Sequence, residues 1–305
     1  MPAMITHYLI ARHVLHRADM PSVKRPDAFL IGAQGPDLLY FHRVYPWQPG
    51  IPSFQKGNAI HIMNPTRLIR ILRHVLQYTP MCDRPIAESY ILGFLCHYAA
   101  DRVIHPFVCN RQQDLRKRDP AYAKFHNPSH YRVESALDVE LLKAYTGRSI
   151  KGFSLCSIMP PADHERDRVI ADIWHSLLFL TLGKTISKKS LQYLTEDFRQ
   201  TLYYMNDPNG IKRRLFVAGE LLCRTALLSS LIRSNRPDGY DYINRGHHTW
   251  KRSDNTESTD DFFALCQQAE TLSAEIAAGF LGDVDEQYIT NGLDFSGRLF
   301  EIAHI

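Results

Sequence analysis

The chain predicts an all-α fold, on three observations. Apolar residues recur at the 3.6-residue period of a helix through most of the 305 positions. No segment alternates β-branched and polar residues as a half-buried strand does. Proline and glycine fall where one periodic segment gives way to the next. With 45% hydrophobic residues there is material for a sizeable core. The chain reads as one multi-helix domain over residues 1–305, with its chemistry-bearing motifs inside 1–138 and a helical remainder inside 151–305.

A first helix is expected over about residues 5–18, carrying His7, His13 and His16. In "RPDAFLIGAQGPDLLYFH", Gly32, Gly35 and Pro36 signal a turn that puts Asp37 in a loop or at the cap of a short helix. Asn64 is a candidate N-cap with Pro65 at the first helical position, and His61 lies just before it. The next helix runs from about Pro85 to His105, where Pro106 is expected to end it by disfavouring helical geometry at the preceding residue. Another opens near Pro128 and stops at Gly147. Three longer helices follow, near 162–182, 186–205 and 208–234. The polar stretch from Ser234 to about residue 261 reads as a long loop, and a last substantial helix covers about 260–280.

A net charge of +4 is too mild, and too evenly spread, for binding nucleic acid by electrostatics, so no stable nucleic-acid complex is expected. Cys82, Cys96, Cys109, Cys156, Cys223 and Cys266 show no CxxC spacing and sit mostly in apolar segments; they read as reduced, buried thiols. The opening "MPAMITHYLIARHVLHRAD" lacks the layout of a leader and is too often interrupted by polar residues for a membrane span. A cytoplasmic protein without a transmembrane segment is the expectation. The unusual total is 15 His, whose positions decide what they do.

In "CHYAADRVIHPF", His97, Asp101 and His105 stand four residues apart, so they advance only about 40° per step around a helix and share one stripe. "HYRVESALD" repeats the spacing with His130, Glu134 and Asp138. One such pair is usually a local ion pair, but two helices each presenting a His and a carboxylate are how bundles build inward-facing metal sites. The first stripe also lies among Ile91, Leu92, Phe94, Leu95 and Val103, where an unpartnered Asp101 would cost several kcal/mol. Imidazole and carboxylate donors suit Zn²⁺ and also hold Mn²⁺ or Fe.

At these residues the chain resembles the zinc-dependent phospholipase C family, whose helical fold is shared with the P1-type nucleases. The resemblance is carried, in the family's order, by "THYLIARHVL", "GAQGPDLLYFH", "GNAIH", "GFLCHYAADRVIHPF" and "SHYRVESALD". It implies two or three zinc ions: one on His7 and Asp101, a second on Asp37, His61, His97 and Asp101, a third on His105, His130 and Glu134. Asp101 then bridges two ions, and Asp37 is the candidate for orienting or deprotonating the attacking water. The four-residue interval from Asp101 to His105 is similar to that of the amino-terminal domain of glycosylphosphatidylinositol-specific phospholipase D. Residues 151–305 show no counterpart of the β-sandwich that some toxins of the family carry.

The activity implied is metal-dependent hydrolysis of a lipid or small-molecule phosphodiester. A P1-type nuclease or nucleotidase is the alternative, with Phe41, Tyr45, Trp47, Phe54, Tyr131 and Trp250 as stacking platforms. A catalytically silent protein whose ions only hold the helices together is a third reading. His42 is expected to be a plain surface residue, His126, His247 and His248 lie in expected loops, and "GHHTW" is a candidate lid.

Overall fold

A computed structural model describes residues 3–119, 122, 126–223, 227–234 and 239–300. The amino terminus, the side chains of His126 and Cys223, and parts of the expected 208–234 helix and of the polar stretch after it lie outside the described residues. Thirteen α-helices occur among the described residues, so the all-α expectation holds. They are α1 (Met4–Val14), α2 (Pro26–Gly32), α3 (Phe54–His61), α4 (Pro65–Gln77), α5 (Arg84–Arg118), α6 (His126–Thr146), α7 (His164–Leu182), α8 (Lys188–Leu191), α9 (Leu194–Met205), α10 (Ile211–Cys223), α11 (Leu227–Leu231), α12 (Phe262–Leu281) and α13 (Glu286–Thr290).

Local chemistry sets several of these boundaries. The Asn64 side chain accepts the Arg67 amide at 2.9 Å, with Pro65 behind it, as the sequence suggested. Asp163 and Asp261 cap α7 and α12 in the same way, accepting from the amides of Arg166 (3.0 Å) and Ala264 (2.8 Å). Gly183 closes α7 in the left-handed conformation at φ 61°.

α5 is the axis of the molecule, packing chiefly against α2 and α12, with α6 alongside. Its approach to α2 needs two glycines. A methyl group on Gly93 would stand 2.0 Å from the Phe29 carbonyl oxygen, and one on Gly32 would stand 2.1 Å from that of Tyr90. One buried apolar cluster runs from Met4 through α5 to Phe295.

Pro106 does not end this helix, which continues to Arg118. Proline removes one N–H, the partner of the Arg102 carbonyl, and Gly297 closes over that carbonyl at φ 66°: a Cβ there would lie 2.7 Å from the Arg102 oxygen. Burial of Phe107, Val108 and Leu115 beyond the proline outweighs the lost bond. The expected 186–205 helix divides into α8 and α9, with Ser187 capping α8 through the Ser190 amide at 3.2 Å. The polar stretch contains an antiparallel pair, β1 (Trp250–Lys251) and β2 (Glu257–Ser258), too short to leave an alternating pattern. No helix among the described residues is long and apolar enough to cross a membrane.

Candidate metal centre

Each side chain of the centre is aimed by its own support. Asp138, which shares the spacing of His130 and Glu134, turns away from them: it accepts from Thr6 N (2.7 Å) and Thr6 Oγ1 (2.8 Å) and pairs with the Arg233 guanidinium at 2.7 and 3.0 Å. That buried cluster fixes α1 and so presents His7. A 3₁₀ turn, Gly35–Tyr40, carries Asp37. Gly35, at φ 52°, backs onto His97 so closely that a Cβ would lie 2.4 Å from the ring.

Three imidazoles donate from Nδ1 to an oxygen: His61 to Gly57 O (2.8 Å), His97 to Ala33 O (3.2 Å) and His130 to Gln112 Oε1 (3.1 Å). Each bond selects the tautomer whose Nε2 carries a lone pair, the form in which histidine binds metal.

The Nε2 atoms then meet carboxylates. Asp101 oxygens lie 3.4 Å from His7, 3.4 Å from His97 and 3.6 Å from His61; an Asp37 oxygen lies 3.2 Å from His61, and Glu134 Oε1 3.3 Å from His130. Despite this proximity, both nitrogens of His7, Nε2 of His61 and His97, Asp101 Oδ2 and Glu134 Oε2 make no hydrogen bond. Donor atoms of His7, Asp37 and His97 lie within 4.8 Å of one another, as do those of His61, His97 and Asp101, and those of His105, Cys109 and His130. A void of about 20 Å³, room for one water or ion, sits between His7, Asp101, His105 and Glu134. All eight side chains singled out in the sequence therefore converge.

The charges fit a cation. Burial works against ionised carboxylates, yet positive charge around Asp37, to which the facing imidazoles of His61 and His97 contribute, holds it at about 2, and the imidazoles of His97 and His7 hold Asp101 well below the ordinary range. Burial, reinforced by His7, lowers His97, and burial with His130 beside it lowers His105 to about 4. For His7 burial also acts downward, but the Asp101 carboxylate outweighs it and the pKa rises. Buried carboxylate oxygens beside imidazoles, of which burial pushes His97 and His105 toward the neutral form, with donor atoms left unbonded, are a set that a divalent ion such as zinc satisfies.

A cavity of about 710 Å³ opens onto this centre. His61, Asp101, His105 and His130 form its polar end, and Tyr40, Phe41, Phe54, Ile62, Leu227, Leu231 and Phe295 much of its wall. Of the expected aromatic platforms, Phe41, Phe54 and Tyr131 line it. Tyr45 and Trp47 instead stack on each other at 5.0 Å, and Trp250 is buried against Phe107. "GHHTW" does not line the cavity; the exposed His247 bonds to Thr259 O at 3.1 Å.

Four features escaped the sequence reading. Cys109, expected to be a reduced, buried thiol, lies 3.5 Å from His105 Nδ1; its i+4 spacing from His105 was a signal. Phe295, which packs 5.1 Å from the His61 ring, lies in an irregular segment without periodicity. Leu227 and Leu231 were legible only as helix. His42 is not a surface residue: it is fully buried, bonding through Nδ1 to Asp197 (2.8 Å) and through Nε2 to Ser190 Oγ (3.2 Å). That order of groups matches an acyl-transfer triad, but Ser190 does not line the cavity, and Asp197 also accepts from Arg43 N and Gln48 Nε2. The network ties residues 42–48 to α9.

Comparison with curated proteins found no match, and comparison with solved structures found none. Against known families the outcome differs: the model of zinc dependent phospholipase C matches residues 6–191, a span of more than half the chain that contains every one of the eight converging side chains, and the chain belongs to that family.

Proposed function

We propose that the protein is a metal-dependent phosphodiester hydrolase of the phospholipase C type, acting on a phospholipid or a related lipid phosphodiester. The observation that carries this reading is the cavity, which joins a cationic-site end to an apolar, aromatic wall. A substrate with a charged phosphate at one end and hydrocarbon next to it suits both surfaces.

In this reading Asp37, His61, His97 and Asp101 hold one ion, His7 and Asp101 a second, and His105, His130 and Glu134 a third. Zinc bound there supplies positive charge to the phosphate oxygens and acidifies a water toward a pKa of about 7. Asp37, with its carboxyl held at about 2, is ionised at neutral pH and suited to orienting a water through a hydrogen bond rather than to retaining its proton. Tyr40, pushed up by burial, stays a neutral phenol and donates to Asn58 Oδ1 at 2.7 Å, which holds its ring in the cavity wall. Phe295, with its ring 5.1 Å from that of His61 and 6.0 Å from that of His97, covers these imidazoles with an apolar face.

The test is hydrolysis by zinc-loaded protein of vesicles of phosphatidylcholine or phosphatidylinositol, reading release of the phosphorylated headgroup, beside single-stranded DNA at equal phosphate. Headgroup release abolished by chelator is the expected result. Cleavage of DNA with intact lipid would replace this reading by the nuclease one, which Phe41, Phe54 and Tyr131 in the cavity wall favour. No cleavage of either by protein holding its zinc would leave the ions a structural role.

A further inference from the structure

The polar stripe on α5 does not stop at His105. Positions 97, 101, 105 and 109 share one spacing, and the last of them is Cys109. Although Pro106 intervenes, the helix continues, so Cys109 keeps the same face. Its Sγ lies 3.5 Å from His105 Nδ1, and the His105 and His130 rings are 5.2 Å apart. One donor atom each from His105, Cys109 and His130 lies within 4.8 Å of the other two.

A second observation points to a ligand beside His130, whose Nε2 lies 3.3 Å from Glu134 Oε1. Glu134, one turn along α6 from His130 and almost fully buried, has an Oε2 with no hydrogen-bond partner. Two imidazoles, a thiol and a carboxylate are four donors of the types zinc takes in tetrahedral sites. A hydrogen bond from the thiol to His105 would explain the 3.5 Å contact alone, but not the second ring, His130, within reach of both or the unbonded carboxylate oxygen.

We propose that Cys109 is a ligand of the third metal site, giving that site a sulfur donor alongside His105, His130 and Glu134. The proposal rests on the metal-centre reading above and adds to it a soft ligand that the other two sites lack. Coordination takes the sulfur as thiolate: the metal–sulfur bond forms as the S–H proton passes to solvent. A thiolate shifts the preference of this one site toward zinc and other thiophilic ions and away from Mn²⁺, which favours oxygen donors. Cys109 also lines the large cavity, so the sulfur stands at the wall a substrate would meet.

The test uses the whole chain with cobalt in place of zinc. The expected result is a sulfur-to-cobalt charge-transfer band in the near ultraviolet that Cys109→Ser removes. With it goes a loss of one ion per chain, or weakening of one site by roughly tenfold or more, the least that even losing an outer partner costs. Alkylation by iodoacetamide, mapped by mass spectrometry on the unmodified sequence, needs no variant to fold: Cys109 should be protected by zinc and exposed by chelator. A protein that keeps its full metal content with no such band, and whose Cys109 alkylates equally with and without zinc, overturns the proposal and leaves a thiol hydrogen-bonded to His105. A protein that binds no cobalt or zinc at all overturns the metal-centre reading, and the proposal with it.

Discussion

Asp101 stands within 3.6 Å of three imidazoles, each from a different element. Replacing it by Asn keeps the shape and removes the charge that any shared cation would need. Asp101→Asn is expected to lose at least one ion per chain by elemental analysis and to unfold at lower temperature; metal content equal to wild type would show that the carboxylate is not shared. The eight converging residues were legible because i, i+4 spacing reports a shared helix face and because their motifs occur in the order the resemblance requires. Cys109 was read by residue type as a reduced thiol, and its place beside His105 was overlooked although its spacing was the same. His42 left no sign in the sequence, since its burial depends on Asp197, 155 positions away.

At the scale of elements, the centre depends on how closely α2 can lie on α5. That contact sets the position of Ala33, whose carbonyl orients His97, and of the turn carrying Asp37. Gly93→Ala would drive a methyl group against the Phe29 backbone, which no rotamer change relieves. The expected cost is at the upper end of overpacking, about 3 kcal/mol by urea denaturation, with weaker metal binding in the fraction that folds. A loss under about 0.5 kcal/mol, the range of neutral surface changes, would mean that the helices separate freely. Helix positions were largely legible from periodicity and caps such as Asn64. Their ends were not: Pro106 was overridden by packing from Gly297, a contact between residues almost 200 positions apart, and the expected 186–205 helix divides between Leu191 and Leu194.

For the molecule as a whole, ions bound among α1, the 35-residue α5 and α6 would tie distant segments of the chain together. Free zinc a thousandfold above its Kd adds about 4 kcal/mol per site, a rise in Tm on the order of 10 °C. Chelation should therefore lower Tm by about that much and zinc should restore it, by scanning calorimetry; an unchanged Tm would place the metal outside the fold's energetics. The cavity described above divides differently from the metal centre. Its imidazole end comes from residues inside the 6–191 match, whereas Leu227, Leu231, Phe295 and Ser296 in its wall come from beyond it. For the proposed hydrolase, the ion-binding side chains thus all lie in the earlier stretch, while the wall that meets a substrate is shared between that stretch and the later one. Exchanging the later stretch with that of a relative is expected to change only the part of the wall formed by Leu227, Leu231, Phe295 and Ser296, leaving the proposed ligands in place.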